Sequence, residues 1–359
     1  MATKRTVFID ASPLIHERMS GVGHMTLELI QALDRNQAFT NRYKMVLIVP
    51  LGKMNRVKRW QFQHVHLKSL GLPLRVANVL NRKHLLPPID TWLGRGVYIF
   101  PNFSNFPLAF SRSITYIHDL TFTLFPDYVE PKNQAMLAGY ATEWMQRSDI
   151  IATVSETAKN EIIEQFKIPA RKIGVVYNGI KPDRFNQLAP DMVKKTEHRL
   201  GIVGKYLLFV GNIEPRKNIE GLIAAYHKLP KKVRQTHSLV LVGGGGWNNQ
   251  RILQAIADAQ AAGERIITPQ RYVADDEIAA LMAGATAFVL PSFYEGFGIP
   301  PLEALAAGTP IVVSDIPVLR EIFGGSALYA DRYDPAKLAK QLDAVLSDTK
   351  QARTLVRRG

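Results

Sequence analysis

Short runs of consecutive apolar residues recur along this chain, and each is followed by a stretch with apolar residues at helical spacing. The runs fall at 6–9, 46–49, 96–100, 114–117, 150–154 and 173–176 in the first half. In the second half they fall at 206–210, 238–242, 265–267, 287–290, 310–313 and 327–329. A strand with one wet face alternates apolar and polar residues, whereas a strand covered on both faces is apolar throughout. These runs are of the second kind and predict parallel strands lying under crossover helices. Two such sets, joined near 178–205, predict an α/β chain of two Rossmann-like, doubly wound parallel-sheet domains. The expected extents are 1–180 for the first domain, 181–204 for a linker of prolines and polar residues, and 205–359 for the second. No repeat period and no low-complexity tract interrupts the pattern.

A length of 359 residues, 47% hydrophobic and 21% charged, agrees with two globular domains with well-filled cores. The absence of cysteine excludes disulfides, thiolate metal sites and cysteine nucleophiles, and fits a reducing compartment. The apolar run near the N-terminus is too short for a signal peptide, and no later run is long enough to span a bilayer. The expected setting is the cytoplasm, with the inner face of a membrane as a possible station. Net charge is +14, from 45 basic and 31 acidic residues. Much of the surplus lies in 53–112, where ten Lys or Arg face a single acid, Asp90, with Trp60, Phe62, Leu67, Leu74 and Val79 interleaved. Such a segment suits phosphate-bearing partners such as anionic lipids, lipid pyrophosphates or nucleic acid; it also reads as a solvated basic face.

In open α/β sheets ligands sit outside the carboxyl ends of the strands, so chemistry is sought just after each run. The fullest such place is 288–310, where Phe288-Val289-Leu290 gives way to Ser292-Phe293-Tyr294-Glu295-Gly296-Phe297-Gly298-Ile299 and then to Glu303 and Gly308. It predicts a buried strand, a glycine-flanked loop, and a helix over 300–307 stopped by Gly308. Gly296 and Gly298 allow close backbone approach, and the helix start adds positive potential suited to a pyrophosphate. Carboxylates at 295 and 303 accept paired hydrogen bonds, as sugar diols require.

This stretch resembles the signature of the family 4 retaining glycosyltransferases, enzymes built as two Rossmann-like domains facing a central cleft. The likeness extends from Gly21-Val22-Gly23 to about Ala330. It implies that Glu295 contacts the donor sugar and Glu303 the nucleotide ribose, with Gly296, Phe297, Gly298 and Ile299 lining the donor. A second motif, Gly211-Asn212-Ile213-Glu214-Pro215-Arg216-Lys217, follows the run at 206–210. By resemblance Lys217 is the lysine that neutralises the donor diphosphate. Many relatives carry arginine where this chain has Asn212, and Arg216 is the expected substitute as a second cation. On residues alone, an Arg-Lys pair also reads as a solvent-facing helix start.

The same resemblance implies a donor-facing role for His118, which as a lone histidine also reads as structural; Asp119 reads as a cap. It implies phosphate and acceptor contacts for the loop at Gly23, expected to precede a helix over 25–33. Gly244 is placed near the nucleotide, although its glycine run also reads as a mobile loop, and Tyr272 and Val273 fall near the base. Asp275-Asp276-Glu277 reads as a helix cap and first turn rather than a metal site. No metal and no cofactor are expected. In the family a further helix crosses back to the first domain after the point reached by Arg357-Arg358-Gly359.

The expected reaction moves a hexosyl group from a nucleotide sugar to a glycan or lipid-linked glycan with retention of configuration. Likeness to bacterial mannosyltransferases of surface polysaccharide synthesis favours GDP-mannose over UDP-sugars. Expected partners are the nucleotide sugar, the acceptor and an anionic membrane surface, with no nucleic acid. Two rivals are a non-hydrolysing UDP-sugar epimerase and a nucleic-acid-binding protein, the latter leaving the two glutamates and phosphate loops unexplained.

Overall fold

The computed structural model describes residues 4–17, 19–181, 183–186, 188–269 and 271–359. Residues 1–3 and Pro182 of the expected linker lie outside these. Among the described residues the first sheet has seven parallel strands: β1 (Arg5–Asp10), β2 (Tyr43–Val49), β3 (Val65–Ser69), β4 (Val97–Phe100), β5 (Arg112–Ile117), β6 (Ile150–Thr153) and β7 (Ile173–Val175). Their spatial order is β3-β2-β1-β4-β5-β6-β7. The second has six: β8 (Lys205–Val210), β9 (His237–Val242), β10 (Ile266–Ile267), β11 (Ala287–Leu290), β12 (Ile311–Ser314) and β13 (Ala327–Ala330), in the order β10-β9-β8-β11-β12-β13.

Both orders reverse direction after the first strand of the set, as in a doubly wound fold. The packing explains the continuous apolar runs. Along β1 and β2, Phe8, Val46 and Ile48 join the core on one face of the sheet. Val7, Ile9, Met45, Leu47 and Val49 join the core on the other. Successive side chains point to opposite faces, so two covered faces demand an apolar residue at every position. Phe8 stacks on its register partner Tyr98 with ring centroids 4.5 Å apart. In β8, Tyr206, Leu207, Leu208 and Phe209 are all fully buried, each contributing about 2 kcal/mol or more to stability.

Three expectations require correction. The strand β3 was not anticipated, because its Val-His-Leu-Lys-Ser sequence alternates; as an edge strand it covers one flank of β2 and leaves its polar residues wet. The expected linker at 181–204 contains two helices, Asp183–Asn186 and Pro190–Arg199. The second packs against the helix Asp275–Gly284, where Arg199 pairs with Glu277 and Thr196 is buried. Finally, the first long helix begins at Gly21 rather than 25, because the hydroxyl of Ser20 caps it by accepting from the Gly23 N–H at 3.3 Å.

The chain divides into two compact units, 1–120 with 132–179, and 121–131 with 180–359. Among the described residues no helix is long and apolar enough to cross a membrane.

Candidate active site

In the second unit the strand order reverses between β8 and β11, and a ligand crevice is expected outside their carboxyl ends. Both donor motifs start there, the segment 211–218 after β8 and the segment 291–298 after β11. The loop after β9 joins them by continuing the sheet pairing past the strand ends. Gly211 N–H donates to Val242 O at 2.9 Å, Ile213 N–H to Gly244 O at 2.9 Å, and Gly246 N–H to Ile213 O at 3.0 Å. The glycine run is therefore hydrogen-bonded in place. Its essential member is Gly243: a Cβ there would stand 1.8 Å from the Gly211 carbonyl oxygen. At Gly244 a Cβ would meet nothing within 4 Å, and that residue is exposed, as Asn212 is.

The centre of the site is a carboxylate between two cations. Lys217, buried at the end of the turn Pro215–Lys217, donates to Glu295 Oε1 at 2.6 Å. Arg216 donates to Glu295 Oε2 at 3.0 Å, to the Tyr294 carbonyl at 2.8 Å and to Glu214 Oε1 at 2.9 Å. The Phe293 N–H returns a bond to the Arg216 carbonyl at 2.9 Å. Burial opposes the charge on Glu295, but Lys217 and Arg216 outweigh it and hold the carboxyl at about 2. Lys217 is pulled below its ordinary value, first by burial and then by the Arg216 charge, against the partial support of Glu295. A buried, charged cluster of this kind is well suited to exchange one anionic partner for another.

The helix Ile299–Ala306 starts at Gly298, whose φ of +101° is readily adopted only by glycine. No side chain caps it, and Pro300 and Pro301 carry no N–H. Ile299 thus supplies the N–H among its first three residues, and the dipole supplies the remaining positive potential. Glu303, on this helix, does not join the Lys217 cluster. It pairs with Arg184 at 3.4 Å, and Arg184 also donates to the Asp275 carbonyl. Tyr272 is 57% exposed while Val273 is buried. In the neighbouring acidic triplet, Glu277 receives Arg271 at 2.6 Å, pairs with Arg199 and accepts from the Ala274 N–H at 2.9 Å, so it closes a helix start.

Two expected residues belong to the first unit. His118, after β5, donates from Nε2 to the Pro101 carbonyl at 2.7 Å, which leaves Nδ1 as an acceptor in the neutral ring. Its pKa is lowered by burial, against the pull of that bond and of Asp119. Gly23 lies in the first turn of its helix, where a Cβ would press within 3.1 Å of Met19 and the Pro13 carbonyl. The sequence reading gave no role to Arg184 or Glu214; Glu214 lay inside a quoted motif, whereas Arg184 reaches Glu303 from far along the chain.

A fold of two Rossmann-like units with this cradle at a switch point defines a glycosyltransferase of the GT-B type. Comparison with known proteins agrees. The family model of group 1 glycosyl transferases matches residues 195–359, and that of glycosyltransferase family 4 matches residues 19–184. The chain is 32% identical over 264 residues to O-antigen chain mannosyltransferase B of Escherichia coli, covering 73% of this chain and 68% of that one. It is 31% identical over 288 residues to O-antigen chain mannosyltransferase RfbU of Salmonella typhimurium, covering 76% and 75%. The solved structure of Anabaena Alr3699/HepE with UDP and glucose shares the fold at TM-score 0.69 and 17% identity, over 99% of this chain and 93% of that one. WaaG, a glycosyltransferase involved in lipopolysaccharide biosynthesis, shares it at TM-score 0.67 and 15% identity, over 98% and 93%. The chain belongs to the family 4 glycosyltransferases.

Proposed function

We propose that this chain is a retaining mannosyltransferase that takes its sugar from GDP-mannose and passes it to a hydroxyl of a glycan or lipid-linked glycan. The observation that carries the reading is the buried Lys217–Glu295–Arg216 constellation at the switch point of the second sheet. The O-antigen mannosyltransferases among its relatives support mannose as the sugar. The UDP and glucose held by the similarly folded Alr3699/HepE support a nucleoside diphosphate donor.

In the proposed reaction the bond from the anomeric carbon to the β-phosphate oxygen breaks. The acceptor oxygen bonds that carbon on the same face, and its proton passes to the departing phosphate oxygen. Lys217 and Arg216 stabilise the charge that develops on the diphosphate, while Glu295 turns to the hydroxyls of the sugar. Glu303 holds the ribose once its pairing with Arg184 yields to the substrate. The Nδ1 acceptor of His118 receives a hydroxyl of the donor sugar. The scheme uses no metal and no cofactor.

The test is to incubate the purified chain with GDP-mannose, UDP-glucose or UDP-N-acetylglucosamine, each with and without a polyprenyl-pyrophosphate-linked glycan. Nucleoside diphosphate release and the anomeric configuration of the product are followed. The expected result is acceptor-dependent release of GDP with an α-mannosyl product. Interconversion of a free UDP-sugar without acceptor would make the chain an epimerase, and release from none of the donors would end the proposal.

A further inference from the structure

Residues 121–131 come from the first half of the chain but pack with the second unit. Two aromatic side chains of this segment seat on the loop that leads into Glu295. Phe125 meets Tyr294 with ring centroids 5.1 Å apart, and Tyr128 stacks on Phe293 at 5.4 Å and 14°. Phe125 and Tyr128 also stack on each other at 6.0 Å. From the other side Tyr333 meets Phe293 at 5.4 Å. Between them runs Arg332, which donates to the Phe293 carbonyl and lies 5.8 Å from the Phe125 ring and 5.1 Å from the Tyr333 ring.

The two residues before Glu295 are thereby held through both carbonyls and both rings. The Phe293 N–H is bound by the Arg216 carbonyl, its own carbonyl by Arg332, and its ring by Tyr128 and Tyr333. The Tyr294 carbonyl is bound by Arg216 and its ring by Phe125. Little freedom remains in the path from the ring stack to the Glu295 carboxylate. We infer that Phe125 and Tyr128, with Arg332, are positioning residues that set Glu295 against Lys217 and Arg216. They reach the reaction only through the loop they clamp. Near-attack geometry tolerates little error, so loosening the clamp should slow transfer more than it weakens binding of the diphosphate.

The turnover part of this inference rests on the proposed glycosyl transfer; the loop-fixing part does not. Both are tested on the full chain with Phe125→Ala/Tyr128→Ala, with the ring-preserving Phe125→Tyr/Tyr128→Phe, and with Arg332→Gln. Hydrogen exchange over 291–298 is expected to quicken about tenfold in the double alanine variant and in Arg332→Gln, with β8 unchanged. The ring-preserving variant keeps the wild-type exchange. In the same proteins kcat for GDP-mannose is expected to fall about tenfold or more, with KM and GDP affinity within about threefold, and the ring-preserving variant restores it. Unchanged exchange over 291–298 overturns the inference. So does a loss confined to KM, or a loss the ring-preserving variant does not rescue. If the wild-type chain transfers no sugar at all, it is the proposed function that falls, and the exchange measurement alone decides the clamp.

Discussion

Glu295 meets two cations at once, and that sets what a substitution there does. Its carboxylate occupies Lys217 and Arg216, the groups assigned to the diphosphate in the proposed reaction. Glu295→Gln keeps the shape and removes the competing charge. Nucleoside diphosphate binding should tighten by about three- to tenfold, while kcat falls by about 100-fold because the sugar loses its carboxylate. Titration calorimetry with GDP and initial rates would read the two opposite effects; weaker GDP binding would contradict the assignment. The pair also has an acid signature. A carboxyl held at about 2, against 4.5 without neighbours, stabilises the folded state fully above pH 4.5 and loses that contribution as pH falls toward 2. The stability advantage of wild type over Glu295→Gln should therefore be largest at neutral pH. Urea unfolding at descending pH should show that gap closing below pH 4.5, and a gap independent of pH would refute it.

At the scale of elements, the loops after β8 and β9 act as one piece, and two adjacent glycines should separate packing from function. Gly243→Ala forces a Cβ into the Gly211 carbonyl and should cost about 1–3 kcal/mol or more, a drop of several degrees in melting temperature. Gly244→Ala meets open space and should leave melting unchanged, so any loss of activity there reports on the donor. Equal melting temperatures for the two variants would show that the loops move independently.

The glycine run at 243–246 was expected near the nucleotide as a group, and Gly243 did not stand out in it, since neighbouring glycines look alike until the approach of the next loop is known. The same limit runs through the fold. Strands with an unbroken apolar run, such as 45–49 in β2 and 206–210 in β8, were legible because two covered faces leave one pattern. β3 was not, because its five residues alternate rather than run continuously apolar, and so short an alternation does not stand out beside basic helices. The helix start at Gly21 was signalled by Ser20 immediately before it. In the site, Lys217, Arg216 and Glu295 were legible from motifs after strands. Arg184 was not: its partner Glu303 lies 119 positions away, and nothing local announces a pairing set by tertiary packing. The aromatic clamp at 125 and 128 was hidden for the same reason.

At the scale of the molecule, the basic segment 53–112 belongs to the first unit. Of the ten cations in 53–112, Arg56 pairs with Glu17 and Arg112 with Asp149, while Arg59 and Arg95 lie over the rings of Trp60 and Phe110. The helix Leu74–Arg82 turns Ala77 and Asn81 inward and leaves Arg75, Val76 and Val79 exposed. Leu85, at 64%, and Phe110, at 60%, are exposed in the same segment. We propose that this segment meets an anionic lipid surface, where each nearby Lys or Arg would add about 1 kcal/mol. Co-sedimentation with vesicles containing phosphatidylglycerol should show binding that weakens as salt rises, and vesicles of phosphatidylcholine alone should bind little. Arg75→Glu/Lys83→Glu should weaken binding to the anionic vesicles by at least about tenfold, and Val76→Ser/Val79→Ser should weaken it by less. Those four positions belong to the first unit and the Lys217 cluster to the second, and transfer to a soluble glycan is the control activity, expected to be unaffected in both variants. Absence of vesicle binding at low salt would leave the charge as a solubility feature.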